Sequence, residues 1–182
     1  MSDNAPFRAG TIALVGRPNV GKSTLLNALL GMKLAATTPK PQTTRKNLLA
    51  VLTTERAQIG LLDTPGHHKA EGPLNRYMVS QAEEGLLRAD VVALMVEARA
   101  DEKITQGNER LLKLLAREDK PVVLVINKVD ALRNKKGMLH QINAYQQRLG
   151  DRLQAVVPIS ALKNPQLDAL VDELGAGAEG GA

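Results

Sequence analysis

Gly16-Arg17-Pro18-Asn19-Val20-Gly21-Lys22-Ser23 is the stretch on which the fold reading turns. It matches GxxxxGK[ST], and its surroundings agree. An apolar run at 11–15 precedes it, and Leu25, Leu26, Leu29 and Leu30 follow at helical spacing. Strand, glycine-rich loop and helix in that order make a phosphate cradle. Glycines at 16 and 21 let successive amides converge on an anion, and the helix adds the positive end of its dipole. Lys22 is placed to reach the β- and γ-phosphates of a nucleotide and Ser23 to ligate Mg²⁺, with Thr24 beside them. Gly31 stands where such a helix stops.

A second segment, Asn127-Lys128-Val129-Asp130, follows the apolar run 122–126. The two carboxylate oxygens of Asp130 can accept from N1–H and the exocyclic amine of guanine, a pair that adenine does not offer. Leaving those acceptors unpaired is costly, so the ligand expected is GTP or GDP. The Lys128 stem can lie along the base, and Asn127 can tie this loop to the phosphate loop. Between the two motifs, Asp63-Thr64-Pro65-Gly66 follows the apolar stretch 59–62. Asp63 can hold Mg²⁺ through water, and Gly66 leaves room for an amide to approach the γ-phosphate. The segment 39–46 is rich in proline and small polar residues and reads as a loop. Thr44 is the first choice there to meet Mg²⁺ and the γ-phosphate, with Thr43 second.

The chain has 182 residues, 43% of them apolar, enough for one domain with an aliphatic core. One Phe, two Tyr and no Trp leave almost nothing on which single-stranded bases could stack. Absence of Cys removes disulfides, thiolate metal sites and thiol catalysis, and fits a cytosolic life. No apolar run approaches the roughly 20 residues of a membrane span. Net charge is +5 and uneven: residues 4 to 54 hold seven Lys/Arg and no Asp or Glu. That field suits a polyanionic nucleotide, with some left for a nucleic-acid partner. The short run Arg133-Asn134-Lys135-Lys136 reads as a solvated helix start.

Strands are expected at 11–15, 48–53, 58–62, 91–96, 122–126 and 155–159, and helices at 22–30, 75–88, 105–117, 138–149 and 166–174. Continuous Val/Leu/Ile runs suit parallel strands buried on both faces. The alternation predicts a doubly wound α/β fold: six strands, mostly parallel, with 48–53 and 58–62 as an antiparallel hairpin, and helices on both faces. The motifs then fall at the carboxyl ends of strands, where open α/β sheets hold ligands. The domain is expected over 11–174, with a flexible N-terminus at 1–10 and a disordered Gly/Ala tail at 175–182.

These residues make the chain resemble a Ras-like P-loop G domain of the Era family. The phosphate loop with Leu-Leu-Asn-Ala at 25–28, Lys-Pro-Gln-Thr-Thr-Arg at 40–45, and Asp-Thr-Pro-Gly-His-His-Lys at 63–69 carry the likeness. By the same resemblance, Ser160-Ala161-Leu162 occupies the fifth GTPase motif, in which an amide near Ala161 meets the guanine O6. The resemblance implies a GTP-hydrolysing switch that assists maturation of the small (30S) ribosomal subunit through its 16S rRNA. It also implies a cytoplasmic, monomeric protein with some contact to the inner membrane surface. Era proteins carry a C-terminal KH domain with a GXXG loop. This sequence ends instead in Gly and Ala, so RNA binding by the chain itself is expected to be weakened.

Where Ras-like enzymes place a water-orienting Gln after DxxG, this chain has His67. Compensating positive charge has two candidate sources besides Lys22. Asn19 either helps hold K⁺, as in related GTPases, or only shapes the loop, and Arg45 serves either the reaction or a partner. Turnover is expected to be slow. A non-catalytic nucleotide-gated module and an ATP-using P-loop enzyme remain as alternatives.

Overall fold

The structure is a computed structural model. It describes residues 7–17, 19–31, 35–37, 48–55, 57–62, 86, 88–163 and 167–177. Along the chain these form β1 (Arg8–Gly16), α1 (Lys22–Leu30), β2 (Ala35–Thr37), β3 (Leu48–Thr53) and β4 (Ala57–Leu62). There follow β5 (Val91–Glu97), α2 (Gln106–Leu115), β6 (Val122–Asn127), α3 (Met138–Leu149), β7 (Leu153–Pro158) and α4 (Leu167–Gly177). Of the helix expected at 75–88, Leu86 and Arg88 are described, and both are helical.

One sheet runs in the order β2-β3-β4-β1-β5-β6-β7. β1 is parallel to β4 and β5, β5 to β6, and β6 to β7. β3 is antiparallel to β4, the expected hairpin. The six expected strands are joined at the edge by β2, antiparallel to β3.

Side chains alternate across the pleat, so each buried strand feeds two cores. Val91, Ala93 and Met95 of β5 join Val123 and Val125 of β6 under Leu25 and Leu29 of α1 and Leu170 and Leu174 of α4. Val92, Leu94 and Val96 join Leu124 and Ile126 under Leu111 and Leu115 of α2 and Tyr145 and Leu149 of α3. A chain this poor in aromatics fills both layers with aliphatic side chains, and Tyr145, 1% exposed, is the bulky exception.

Two expected boundaries are corrected. β1 begins at Arg8, paired with Ala57, so residues 8–10 are sheet rather than flexible N-terminus. α4 runs through Gly177, so residues 175–177 are helix rather than tail. Tertiary packing overrides composition there: Gly175 lies against Ala57 and Ile59, and Gly177 against Val91 and Gln154.

Candidate nucleotide site

The carboxyl ends of β1, β6 and β7 meet at one rim of the sheet, and the loops leaving them hold the described site residues. Gly16 ends β1 against β5. A Cβ there would lie 2.8 Å from the Met95 carbonyl oxygen and 2.9 Å from Val20 Cγ1, so only glycine lets the loop start so close to the neighbouring strand. Two left-handed residues then turn the chain: Asn19 at φ 63° and Gly21 at φ 110°. Asparagine tolerates this conformation better than most residues, and glycine without cost.

Gly21 caps α1 without a side-chain hydrogen bond, and the first turn contains no acidic residue. The amides of that turn and the helix dipole therefore present an uncompensated positive end. Lys22 folds back over the loop, its Nζ donating to Gly16 O at 2.8 Å. Ser23 and Thr24 lie exposed on the same turn.

Asn127, the last residue of β6, is 3% exposed and bonded on both sides. Its Nδ2 donates to Val20 O at 2.9 Å, and its Oδ1 accepts from Ala161 N at 2.9 Å. One buried amide thus ties the phosphate loop, the 127–130 loop and the 160–162 loop together. Lys128 is left-handed at φ 64°, and its Nζ donates to Asn19 O at 3.0 Å, with Glu97 Oε1 3.4 Å away. The bond to Asn19 O links the 127–130 loop to the phosphate loop a second time.

Asp130 stands on the far side. A hydrogen bond from the Ser160 side chain, aided by Lys163 Nζ 3.4 Å from Oδ2, holds its carboxyl below the ordinary range. It is an acceptor-only carboxylate at neutral pH. Ser160 and Ala161 are buried, whereas Leu162 is 81% exposed. Among the expected contacts, Arg17 points away from the cradle. Its Nη1 donates to Thr105 Oγ1 at 3.3 Å and its guanidinium lies over Gly107 at the start of α2. What it offers the cradle is main chain. Arg17, Glu97, Arg99 and Asn108 line a cavity of about 250 Å³ on this outer flank.

Pro18, Thr43, Thr44, Arg45, Asp63, Thr64, Pro65, Gly66 and His67 lie outside the described residues. Sequence reasoning missed the outward anchoring of Arg17 and the partnership of Glu97 with Lys128. Glu97 was findable, because it is the last residue of a strand whose carboxyl end faces the site. Nothing in the motif spacing announces the Thr105 anchor.

A doubly wound sheet with a glycine-rich loop and helix after its first strand, and the 127–130 and 160–162 loops after its last two, is a Ras-like G domain. Residues 11–128 match the 50S ribosome-binding GTPase family, and the chain belongs to that family. It is 45% identical over 172 residues to the GTPase Era of Geobacter metallireducens, covering 94% of this chain and 56% of that protein. Among solved structures it is similar to Aquifex aeolicus Era bound to GDP·AlF4⁻, with TM-score 0.75 and 38% identity over 94% of this chain and 57% of that one. An Era in complex with MgGDPNP and nucleotides 1506–1542 of 16S ribosomal RNA gives the same TM-score, identity and coverage. The chain therefore spans a little over half the length of these relatives. No helix among the described residues is long and apolar enough to cross a membrane.

Proposed function

We propose that this chain is the guanine-nucleotide switch of an Era-type GTPase, binding GTP with Mg²⁺ and hydrolysing it by attack of water. The observation that carries this reading is Asn127, whose single amide couples the phosphate cradle to both base-side loops. Such coupling has a use where one ligand spans both, as a nucleoside triphosphate does.

In this reading the N–H groups of Gly16 to Ser23, Arg17 and Val20 among them, and the α1 dipole grip the phosphates, while Pro18, which has no N–H, shapes the turn. Lys22 exchanges the Gly16 carbonyl for the β- and γ-phosphate oxygens. The exposed Ser23 hydroxyl suits a hard cation that takes most of its ligands from phosphate and water, with Thr44 and Asp63 completing the set. Bound Mg²⁺ would neutralise charge on the β- and γ-phosphates. Asp130 and the Ala161 amide read guanine, Lys128 and Leu162 flank it, and Thr44 and the Gly66 amide sense the γ-phosphate. Thr24, Thr64 and Pro65 border the phosphates, and Asn19 is the candidate ligand for K⁺.

The relative solved with 16S rRNA supports a role in assembly of the 30S subunit. A cytoplasmic monomer touching the inner membrane surface is part of the same proposal. Calorimetry on the nucleotide-stripped chain in Mg²⁺ tests it. GDP and GTP are expected to bind and ATP to be rejected, and Asp130→Asn is expected to shift preference toward xanthine nucleotide. Equal affinity for ATP refutes the guanine assignment. Phosphate release no faster than background, with and without K⁺, leaves a binding module and refutes the enzyme.

A further inference from the structure

Composition alone makes Arg133, Lys135 and Lys136 a solvated helix start, but their surroundings set them apart. Four exposed or half-exposed cations elsewhere in the described residues have acidic or carbonyl partners: Arg99 with Asp101, Lys128 with Glu97 and Asn19, Lys163 with Asp130, and Arg148 with Glu109. Among the described residues Arg133, Lys135 and Lys136 are all exposed, and their side chains make no hydrogen bond or ion pair. The segment 131–140 contains no Asp or Glu to offset them.

The loop packed against them does not compensate either. Gly137 is pressed against Ala100, and in residues 99–103 two cations and two carboxylates cancel, with Asp101 already held by Arg99 at 2.7 Å. Lys135 and Lys136 also stand just before α3, which has no acidic residue in its first turn. Cations at that end of a helix raise the local positive potential further. The folded chain thus keeps three bare charges together where its own electrostatics disfavour them.

We infer that Arg133, Lys135 and Lys136 form a contact surface for the phosphodiester backbone of RNA, on the G domain itself. The inference rests on the RNA partnership proposed above and gives it a place on this chain. A phosphodiester chain supplies closely spaced charges without needing an apolar core. An exposed Leu139 is the large apolar side chain here, too little for the buried centre of a protein interface or for insertion into a bilayer. Asn134 is occupied locally, its Oδ1 accepting from Gly137 N, so the contact should be electrostatic and indifferent to base sequence. α4 ends near Gln154 and Val91, at the amino ends of the strands, so this surface lies at the opposite edge of the sheet from Gly177.

Fluorescence anisotropy of the full 182-residue chain with labelled 16S nucleotides 1506–1542, and with a scrambled RNA of equal length, tests this at several salt concentrations. Arg133→Ala/Lys135→Ala/Lys136→Ala is expected to weaken binding to both RNAs about tenfold or more. It should also flatten the slope of log affinity against log salt by about 2, near 0.7 for each lost phosphate contact on a single strand. Arg110→Ala/Lys113→Ala, a control on α2, should keep the slope. The inference is overturned if the triple variant matches the parent chain, if the control loses as much, or if the parent chain does not bind RNA. It is also overturned if the triple variant loses binding to polyglutamate or to anionic vesicles but not to RNA. GDP affinity measured on the same samples separates the two claims. Its absence in the parent chain sinks the proposed function, whereas its persistence beside an unchanged RNA slope sinks only this surface.

Discussion

Asn127→Ala removes one side chain and orphans two backbone groups. Val20 O loses its donor and Ala161 N loses its acceptor, both at a residue only 3% exposed. Each buried group left unpaired costs about 1–3 kcal/mol, so the expected loss is about 3 kcal/mol in total. For a domain of this size that is a fall in melting temperature of about 6–12 °C. If half of that energy is normally expressed in holding the loops for nucleotide, GDP binding weakens about tenfold. Gly21 reaches the same contact from the other side, because a Cβ there would land on Asn127 Nδ2. Gly21→Ala should therefore break the Val20 bond as well as straining a left-handed residue at φ 110°. In an Asn127→Ala background only the strain remains, so the two substitutions together should cost about 1–2 kcal/mol less than their sum. Thermal denaturation of the four proteins measures the coupling, and mant-GDP titration measures the affinity. Additivity within about 0.5 kcal/mol refutes the shared contact. An unchanged melting temperature for Asn127→Ala refutes the bridge.

Gly175→Ala should stabilise α4 by about 0.5–1 kcal/mol, since a Cβ there meets Ala57 and Ile59 at ordinary contact distances of 3.5 and 3.9 Å. Gly177→Ala should gain less or lose, with Val91 Cγ2 only 2.8 Å from the new carbon, and denaturant melts of the pair check the contrast. Tyr145 has its hydroxyl pushed up to about 12 by burial. A folded pKa above the unfolded value stabilises fully below about pH 10, and that contribution fades as pH rises toward 12. Stability measured across this window should fall more steeply in the parent chain than in Tyr145→Phe. The variant also loses the partner that Asn108 Nδ2 donates to at 2.8 Å, at about 1–3 kcal/mol near neutrality. Asn19→Gly keeps the φ 63° turn and removes only the side chain. Loss of K⁺-stimulated phosphate release in that variant supports a cation ligand, and unchanged stimulation assigns Asn19 to loop shape.

Strand positions, and the loops at 16–23 and 127–130 that leave their carboxyl ends, were legible because burial on both faces forces continuous aliphatic runs, and glycine and polar residues mark where a strand gives way to a loop. β5 and β6 came out within a residue of their expected limits. The boundaries that moved depend on partners distant in sequence. Arg8 is a strand residue because Ala57 pairs with it, and Gly175 is helical because Ala57 and Ile59 lie beneath it. Glycine content says tail, whereas contact with the sheet says helix. The Asn127 bridge was half legible: its reach to the phosphate loop follows from the motif, but its second bond to Ala161 needs the register of β6 with β7. The Arg17 anchor was not legible, because an arginine in a phosphate loop suggests contact with phosphate before it suggests contact with a helix.

That anchor bears on how such a domain distinguishes its ligands. The phosphate loop is held from within by Asn127 on β6 and from without by Arg17, whose Thr105 partner also accepts from Asn108 N to cap α2. Both holds end on elements fixed by the buried sheet. A loop braced on two sides keeps its amides aimed before any nucleotide arrives, which lowers the reorganisation needed to bind an anion. The same bracing leaves it little freedom to respond to whether two or three phosphates are present. In the proposed switch, the difference between GDP and GTP must therefore be read by groups outside the brace. That is the part assigned to Thr44 and to the Gly66 amide, and it is why their substitution should alter the response to GTP while leaving GDP affinity nearly intact.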